Sequence, residues 1–154
     1  MRAMILAAGL GKRMRPLTEN TPKPLLEVDG KPLVEHLIER LIVGGVTGVV
    51  INYHHLGEMI KNFLGDGSKF GIEILYSEEV DLLETGGGII NSLPKLKDES
   101  FIVVNADVWT DFDFNRLDYI NGDQCLAHLV LVKNTKEKPS GDFYINQSGL
   151  IRDA

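Results

Sequence analysis

Gly9, Gly11, Lys12, Arg13 and Lys23 stand close together in one stretch, MILAAGLGKRMRPLTENTPKPL, and their types point to phosphate binding. Glycine lets backbone N–H groups approach anionic oxygens, because no Cβ stands in the way. Lys12 and Arg13 supply neutralising charge, and the planar fork of Arg13 can grip two oxygens of a triphosphate. Lys23 lies in Thr21-Pro22-Lys23-Pro24, where the prolines stiffen the chain and hold the ammonium out as a positioned cation. A P-loop is excluded: Gly9 and Gly11 are too close, and Arg13 follows Lys12 where Ser or Thr is needed. A dinucleotide fingerprint is poorly matched too, since Met14 stands in place of its third glycine and Pro16, Pro22 and Pro24 deny a long helix. What remains is an anion loop charged by side chains. For any one residue a basic surface loop steered by proline serves as well; for the whole arrangement the phosphate reading is preferred.

Phe101-Ile-Val-Val-Asn-Ala-Asp107 places a carboxylate at the tip of an apolar run. A hard carboxylate there can hold Mg²⁺ against nucleotide phosphates, and an isolated one would cap the following turn. Opposite a cationic loop, the metal reading of Asp107 gains weight. The stretch SEEVDLLETGGG joins acids to three consecutive glycines and suggests close backbone approach to a ligand, while Glu78 and Asp81 read as solvated. His54-His55 has metal-like types without matching ligand spacing, so surface or hydrogen-bonding roles are expected. Neither a Ser-His-Asp nor a Cys-His nucleophile is visible. Cys125, the lone cysteine, sits in an apolar run and reads as a buried thiol.

These residues need elements to position them. Ala3–Ala8, Val49–Ile51, Ile72–Tyr76, Phe101–Val104 and Cys125–Val132 read as strands, the fourth as a central parallel one. Leu33, Leu37, Ile38, Leu41 and Ile42 recur at helical spacing before Gly44-Gly45, and Leu56 to Leu64 repeats the pattern before Gly65. Gly88–Leu93 reads as a short helix stopped by Pro94, Phe114–Ile120 as another, and Asp142–Ile151 as a hairpin around Gln147-Ser148-Gly149. The alternation predicts an α/β fold: a doubly wound, mostly parallel, Rossmann-like sheet in a single domain over 1–154. In such sheets ligands gather beyond the carboxyl ends of the strands. That places 8–15, 52–55, 77–88 and 105–109 at one end.

The 154 residues suffice for one domain with a core. A formal net charge of −6 argues against sequence-independent binding to nucleic acid, which needs a basic footprint. The first apolar run is short and is followed by more basic residues, so it reads as a strand and not a signal peptide, and a cytoplasmic protein is expected.

The stretch LAAGLGKRMRPLTENTPKPL resembles the signature of the sugar-1-phosphate nucleotidylyltransferases, L-A-A-G-x-G-x-R-(M/L)-x-P-L-T followed by P-K-P. The resemblance continues through VINYHHL, GDGSKFGIEILYSEE, LLETGGGI and FIVVNADVWTDFDF. Within the family, LETGGG and NADVWTD look most like the subgroup that uses UTP and N-acetylmuramate 1-phosphate in cell-wall recycling. The resemblance implies NTP plus sugar 1-phosphate giving NDP-sugar plus pyrophosphate, with Mg²⁺. It implies that Leu6, Ala7, Ala8 and Gly9 lie along base and ribose, and that Gly11, Lys12 and Arg13 hold the triphosphate. Lys23 would contact the α-phosphate or the sugar phosphate, and Asp107 would bind Mg²⁺, so Arg13, Lys23 and Asp107 are the expected catalytic residues. Glu84, Thr85 and Gly86 would line nucleoside and sugar, and Asn105 and Asp142 are candidates for the amino-sugar. Glu79 aligns where many relatives place a base-reading glutamine.

Relatives complete their metal site with a second aspartate well beyond the G-D-F element, and the sequence stops at Ala154, before it. A shortened chain is the expectation, with a site completed in trans by a homo-oligomer as the other route. The alternatives are a catalytically incomplete nucleotide-binding or regulatory module, and a thymidylyl- or guanylyltransferase acting on another sugar 1-phosphate.

Overall fold

A computed structural model describes residues 1–97, 100–119, 126–136 and 138–153. They form two compact units, Met1–Asp118 and Tyr119–Ala154.

The first unit is built on four parallel strands: β1 (Arg2–Leu6), β4 (Gly48–Tyr53), β5 (Glu73–Glu78) and β6 (Phe101–Asn105). Their spatial order is β5-β4-β1-β6. Met4 sits opposite both Val50 and Val103, and Val50 is also opposite Leu75, so β1 and β4 are central. Both are apolar on two faces because both faces are covered. Ala3, Ile5, Val49 and Ile51 join Val34, Leu37, Ile38 and Leu41 of helix α1 (Leu33–Val43) and Ile60 and Leu64 of helix α2 (Gly57–Leu64) in the larger core. On the opposite face Met4 and Val50 meet Leu96, with Ile89 beside them, from helix α3 (Glu84–Leu96). Helices on both faces of a parallel sheet are the doubly wound arrangement expected from the alternation. Each fully buried Leu, Ile or Val contributes about 1.5–3 kcal/mol relative to exposure.

Several expectations are corrected. Phe101–Val104 is not central: β6 is the edge of the described sheet, and Val103 is exposed. The Gly88–Leu93 helix begins earlier, at Glu84, and runs through Pro94 to Leu96. Proline removes a single N–H near the helix end, and burial of Ser92 and Leu96 keeps the last turns on the sheet. Residues 126–132 are not a strand, and Cys125 lies outside the described residues, as does Ile120. Among the described residues no strand pairs with that apolar run.

A small hairpin, β2 (Glu27–Val28) with β3 (Lys31–Pro32), went unforeseen. Its turn residues Asp29 and Gly30 both have positive φ, 54° and 72°, as the two-residue turn that suits twisted strands requires. In the second unit the predicted hairpin is present as β7 (Phe143–Ile145) and β8 (Ile151–Asp153). Asn146 Oδ1 holds its turn, accepting from the Ser148 and Leu150 amides at 2.9 Å each.

Candidate active site

The strand order reverses between β1 and β6: β1 connects to β4 through α1 on one face, while β6 is reached from β5 through α3 on the other. A doubly wound sheet opens its crevice at such a switch point. Ala106 N–H bonds to Leu6 O at 3.0 Å, which ties the start of the glycine loop to the Asn105–Asp107 tip. A cleft of about 490 Å³ opens there.

Its first wall is the glycine loop, from Leu6 to Met14. Lys12–Met14 makes only one 3₁₀ turn, so side chains supply the charge that a long helix would otherwise lend. Gly11 has φ +63° and a would-be Cβ only 3.0 Å from Thr18, so the loop needs glycine there. Thr18 is buried and donates its hydroxyl to Gly11 O at 2.8 Å. Lys12 and Arg13 project exposed.

The second wall comes from β6 and the proline-flanked turn Lys23–Leu25. Lys23 Nζ donates to Asp107 Oδ2, and about a third of each side chain remains exposed. The cation held out by Pro22 and Pro24 therefore meets the carboxylate at the strand tip.

The third wall is the passage from β5 into α3. Glu79 is only 3% exposed, and both its carboxylate oxygens are occupied. Oε1 accepts from Asn52 Nδ2 at 2.7 Å, and Oε2 accepts from Leu83 N–H at 2.9 Å. Asn52 Oδ1 in turn accepts from Ala7 N–H at 2.8 Å. Glu84 opens α3 with a positive φ of 57° and lines the cleft with Thr85.

The cleft thus brings together Leu6, Ala7, Ala8, Gly9, Gly11, Lys12, Arg13, Lys23, Glu79, Glu84, Thr85, Asn105 and Asp107. Gly86 does not line it. Asp142 belongs to the second unit, where it pairs with Lys138. The glycines at 86–88 form helix and not ligand-hugging loop, and a Cβ on Gly88 would fall 2.7 Å from both Asn52 Nδ2 and Glu79 Oε1. His54 plays the hydrogen-bonding role expected, with Nδ1 2.8 Å from Glu79 O. Asn52 opens the 52–55 stretch expected at this end of the sheet, but its bonding role in the wall was not foreseen. Its signal was its place immediately after the apolar run at 49–51.

Among the described residues no cluster of three or more His, Cys, Asp or Glu side chains could hold a metal. No helix among them is long and apolar enough to cross a membrane.

A family model for nucleotidyl transferases matches residues 2–147. The chain belongs to that family. It is 49% identical, over 99% of its length and 68% of the relative's, to an N-acetylmuramate alpha-1-phosphate uridylyltransferase of Neisseria meningitidis serogroup B. It is 34% identical, over 97% of its length and 66% of the relative's, to a protein of the same name from Caulobacter vibrioides. Among solved structures, HddC from Yersinia pseudotuberculosis complexed with GMP-PN aligns with a TM-score of 0.68 and 27% identity. That alignment covers 76% of this chain and 52% of HddC. The chain thus spans about two-thirds of these curated relatives and about half of that structure.

Proposed function

We propose that this chain transfers a nucleotidyl group from UTP to a sugar 1-phosphate, N-acetylmuramate 1-phosphate being the favoured acceptor. The observation that carries the reading is the meeting of Lys12, Arg13, Lys23 and Asp107 around one cleft at the β1–β6 switch point. The names of the Neisseria and Caulobacter relatives support UTP and N-acetylmuramate 1-phosphate. The guanine nucleotide in the HddC structure keeps a guanylyltransferase in view.

A sugar 1-phosphate is largely dianionic at neutral pH, its second pKa being about 6, so it needs no general base. One of its oxygens forms a bond to the α-phosphorus, and the bond from that phosphorus to the pyrophosphate oxygen breaks in line. The protein's work is to bring two anions together and neutralise charge as it develops on the leaving group. Arg13 and Lys12 lie on the loop suited to the β- and γ-phosphates, and Lys23 suits the α-phosphate or the acceptor phosphate. Asp107 fits a hard cation: Mg²⁺ takes one or two carboxylates and fills its remaining positions with phosphate oxygens and water. Bound there, Mg²⁺ would neutralise phosphate charge. Glu84, Thr85 and Asn105, which line the cleft, would meet ribose or sugar hydroxyls. The reaction belongs in the cytoplasm, where UTP is available, and would return a cell-wall amino sugar to nucleotide-sugar form.

The direct experiment is pyrophosphate release with Mg²⁺, pairing UTP, dTTP and GTP with N-acetylmuramate, glucose and mannose 1-phosphates. Turnover with UTP and N-acetylmuramate 1-phosphate, lost in Lys23→Met, is the expected result. Nucleotide binding without turnover would favour a binding or regulatory module. Failure to bind any of the three nucleotides would overturn both.

A further inference from the structure

The contacts from Ala7 to Leu83 form a chain whose ends are both fixed donors. Ala7 N–H lies on the glycine-loop wall and Leu83 N–H in the passage from β5 into α3, and each points at a buried side-chain oxygen. Between them lie Asn52 and Glu79, 2% and 3% exposed, joined at 2.7 Å. With a donor at each end, the two side chains must offer one oxygen outward each and still bond to each other. Two amides fail, because whichever way they turn, one backbone N–H meets an NH₂. Two carboxylates fail as well, because no hydrogen remains between them unless one is protonated. One amide and one carboxylate satisfy every partner. The Asn52–Glu79 pairing is therefore one that satisfies this geometry without an extra proton, as two amides or two ionised carboxylates do not.

The same pair is the seat of α3, since Gly88 packs so closely that a Cβ would reach both side chains. Glu79 is further fixed through its backbone, its N–H bonding to Tyr53 O at 2.9 Å and its carbonyl facing His54 Nδ1. Only 3% exposed and with a protein donor on each oxygen, Glu79 presents little of its carboxylate to a nucleotide base, although it lines the cleft.

We propose that Asn52 and Glu79 act as positioning residues that set the distance between the Leu6–Gly9 wall and the Leu83–Thr85 wall. They would thereby govern nucleotide affinity without reading the base themselves. The proposal rests on the reading of this cleft as the nucleotide site. It carries its own distinguishing test, because one amide and one carboxylate satisfy this geometry in either order. In the double exchange, Asn52→Asp with Glu79→Gln, the carboxylate at position 52 would accept from Ala7 N–H and from the side-chain amide at position 79. The carbonyl oxygen of that amide would in turn accept from Leu83 N–H. All three bonds and the single negative charge are kept.

The experiment measures UTP dissociation constants by titration calorimetry, and melting temperatures, for the wild-type chain, Asn52→Asp, Glu79→Gln and the double exchange. Each single variant is expected to weaken UTP binding by about tenfold or more, the loss expected when a buried charged hydrogen bond is broken. The double exchange is expected to return to within about threefold of wild type. Single variants that melt lower but bind UTP as wild type does would show a purely structural pair and overturn the proposal. So would a double exchange that binds no better than the singles while the wild type binds well. Absence of UTP binding by the wild-type chain would instead sink the functional reading, and this inference with it.

Discussion

The glycines at the start of α3 offer a matched pair of perturbations whose opposite signs follow from the coordinates. Gly86 and Gly88 both lie in the helix, and alanine at either gains helix propensity, about 0.5–1 kcal/mol at an interior position. At Gly86 nothing lies within 4 Å of the new Cβ, so the gain stands and amounts to about 0.5 kcal/mol in the first turn. At Gly88 the Cβ would fall 2.7 Å from Asn52 Nδ2 and Glu79 Oε1. Neither atom ends a free side chain, since each is tied onward to Ala7 or Leu83. Forcing them apart costs about 1–3 kcal/mol of overpacking, and a lost buried hydrogen bond adds about 1–3 kcal/mol. The net for Gly88→Ala is destabilisation of about 1–5 kcal/mol. At about 4 °C per kcal/mol for a domain of this size, thermal unfolding should show Gly88→Ala melting about 4–20 °C lower and Gly86→Ala about 2 °C higher. Equal shifts for both, or a Gly88→Ala variant as stable as wild type, would refute the claim that α3 is seated on the Asn52–Glu79 pair.

Arg13→Lys keeps the charge and loses the fork, so UTP affinity should fall about tenfold by calorimetry, while Lys12→Arg should change it by less than about threefold. Asp107→Asn frees Lys23 from an ion pair about a third exposed and worth about 0.5–1 kcal/mol, and removes a negative charge from the cleft. It should therefore bind UTP about two- to fivefold more tightly than wild type in EDTA and more weakly with Mg²⁺, and weaker binding in both would contradict the assigned roles. Burial, reinforced by the Asp66 charge, pushes the Tyr76 phenol up to about 12, and its hydroxyl donates to Gly65 O at 2.6 Å. Because the unfolded tyrosine ionises first, near pH 10, stability should hold below that pH and fall between about 10 and 12. Tyr76→Phe should be less stable by about 1 kcal/mol at pH 8 and lack this contribution to the alkaline fall in a urea-melt series.

The legible parts of the fold were those where burial and local pattern agree. Strands β1 and β4 are apolar on both faces because α1 and α2 cover one face and α3 the other, so an unbroken apolar run marked each. Helices α1 and α2 announced themselves by spacing and by glycine stops at Gly44 and Gly65. Helix α3 was misjudged at both ends because Gly86 to Gly88 and Pro94 read as breakers. Its seat on Asn52 and Glu79 demands a residue without a side chain at Gly88, a tertiary demand that propensity cannot express. The β2–β3 hairpin had a local signal, Asp29-Gly30, that passed unused. Apolar character alone misled at 126–132, where no strand ladder forms among the described residues. Site residues at strand tips were legible because parallel topology sends every strand's carboxyl end to one side. Asn52 was legible by place and not by role, since an asparagine after a strand says nothing of what its amide meets.

A physical division of labour runs through the cleft. Lys12 and Arg13, the groups suited to touch a triphosphate, remain exposed, while Thr18, Asn52 and Glu79, which hydrogen-bond within the protein, are buried. Burying an unpaired cation costs several kcal/mol, so a chain that must be stable with its cleft empty keeps its phosphate-facing charges in water. The buried polar groups carry no such cost, because each meets a fixed partner within the fold. Lys23 and Asp107 lie between these extremes, each about a third exposed and each serving as the other's counterion. Partial exposure keeps their bond weak. A phosphate can therefore draw Lys23 away, and a hard cation can take Asp107, without breaking anything that holds the walls in place.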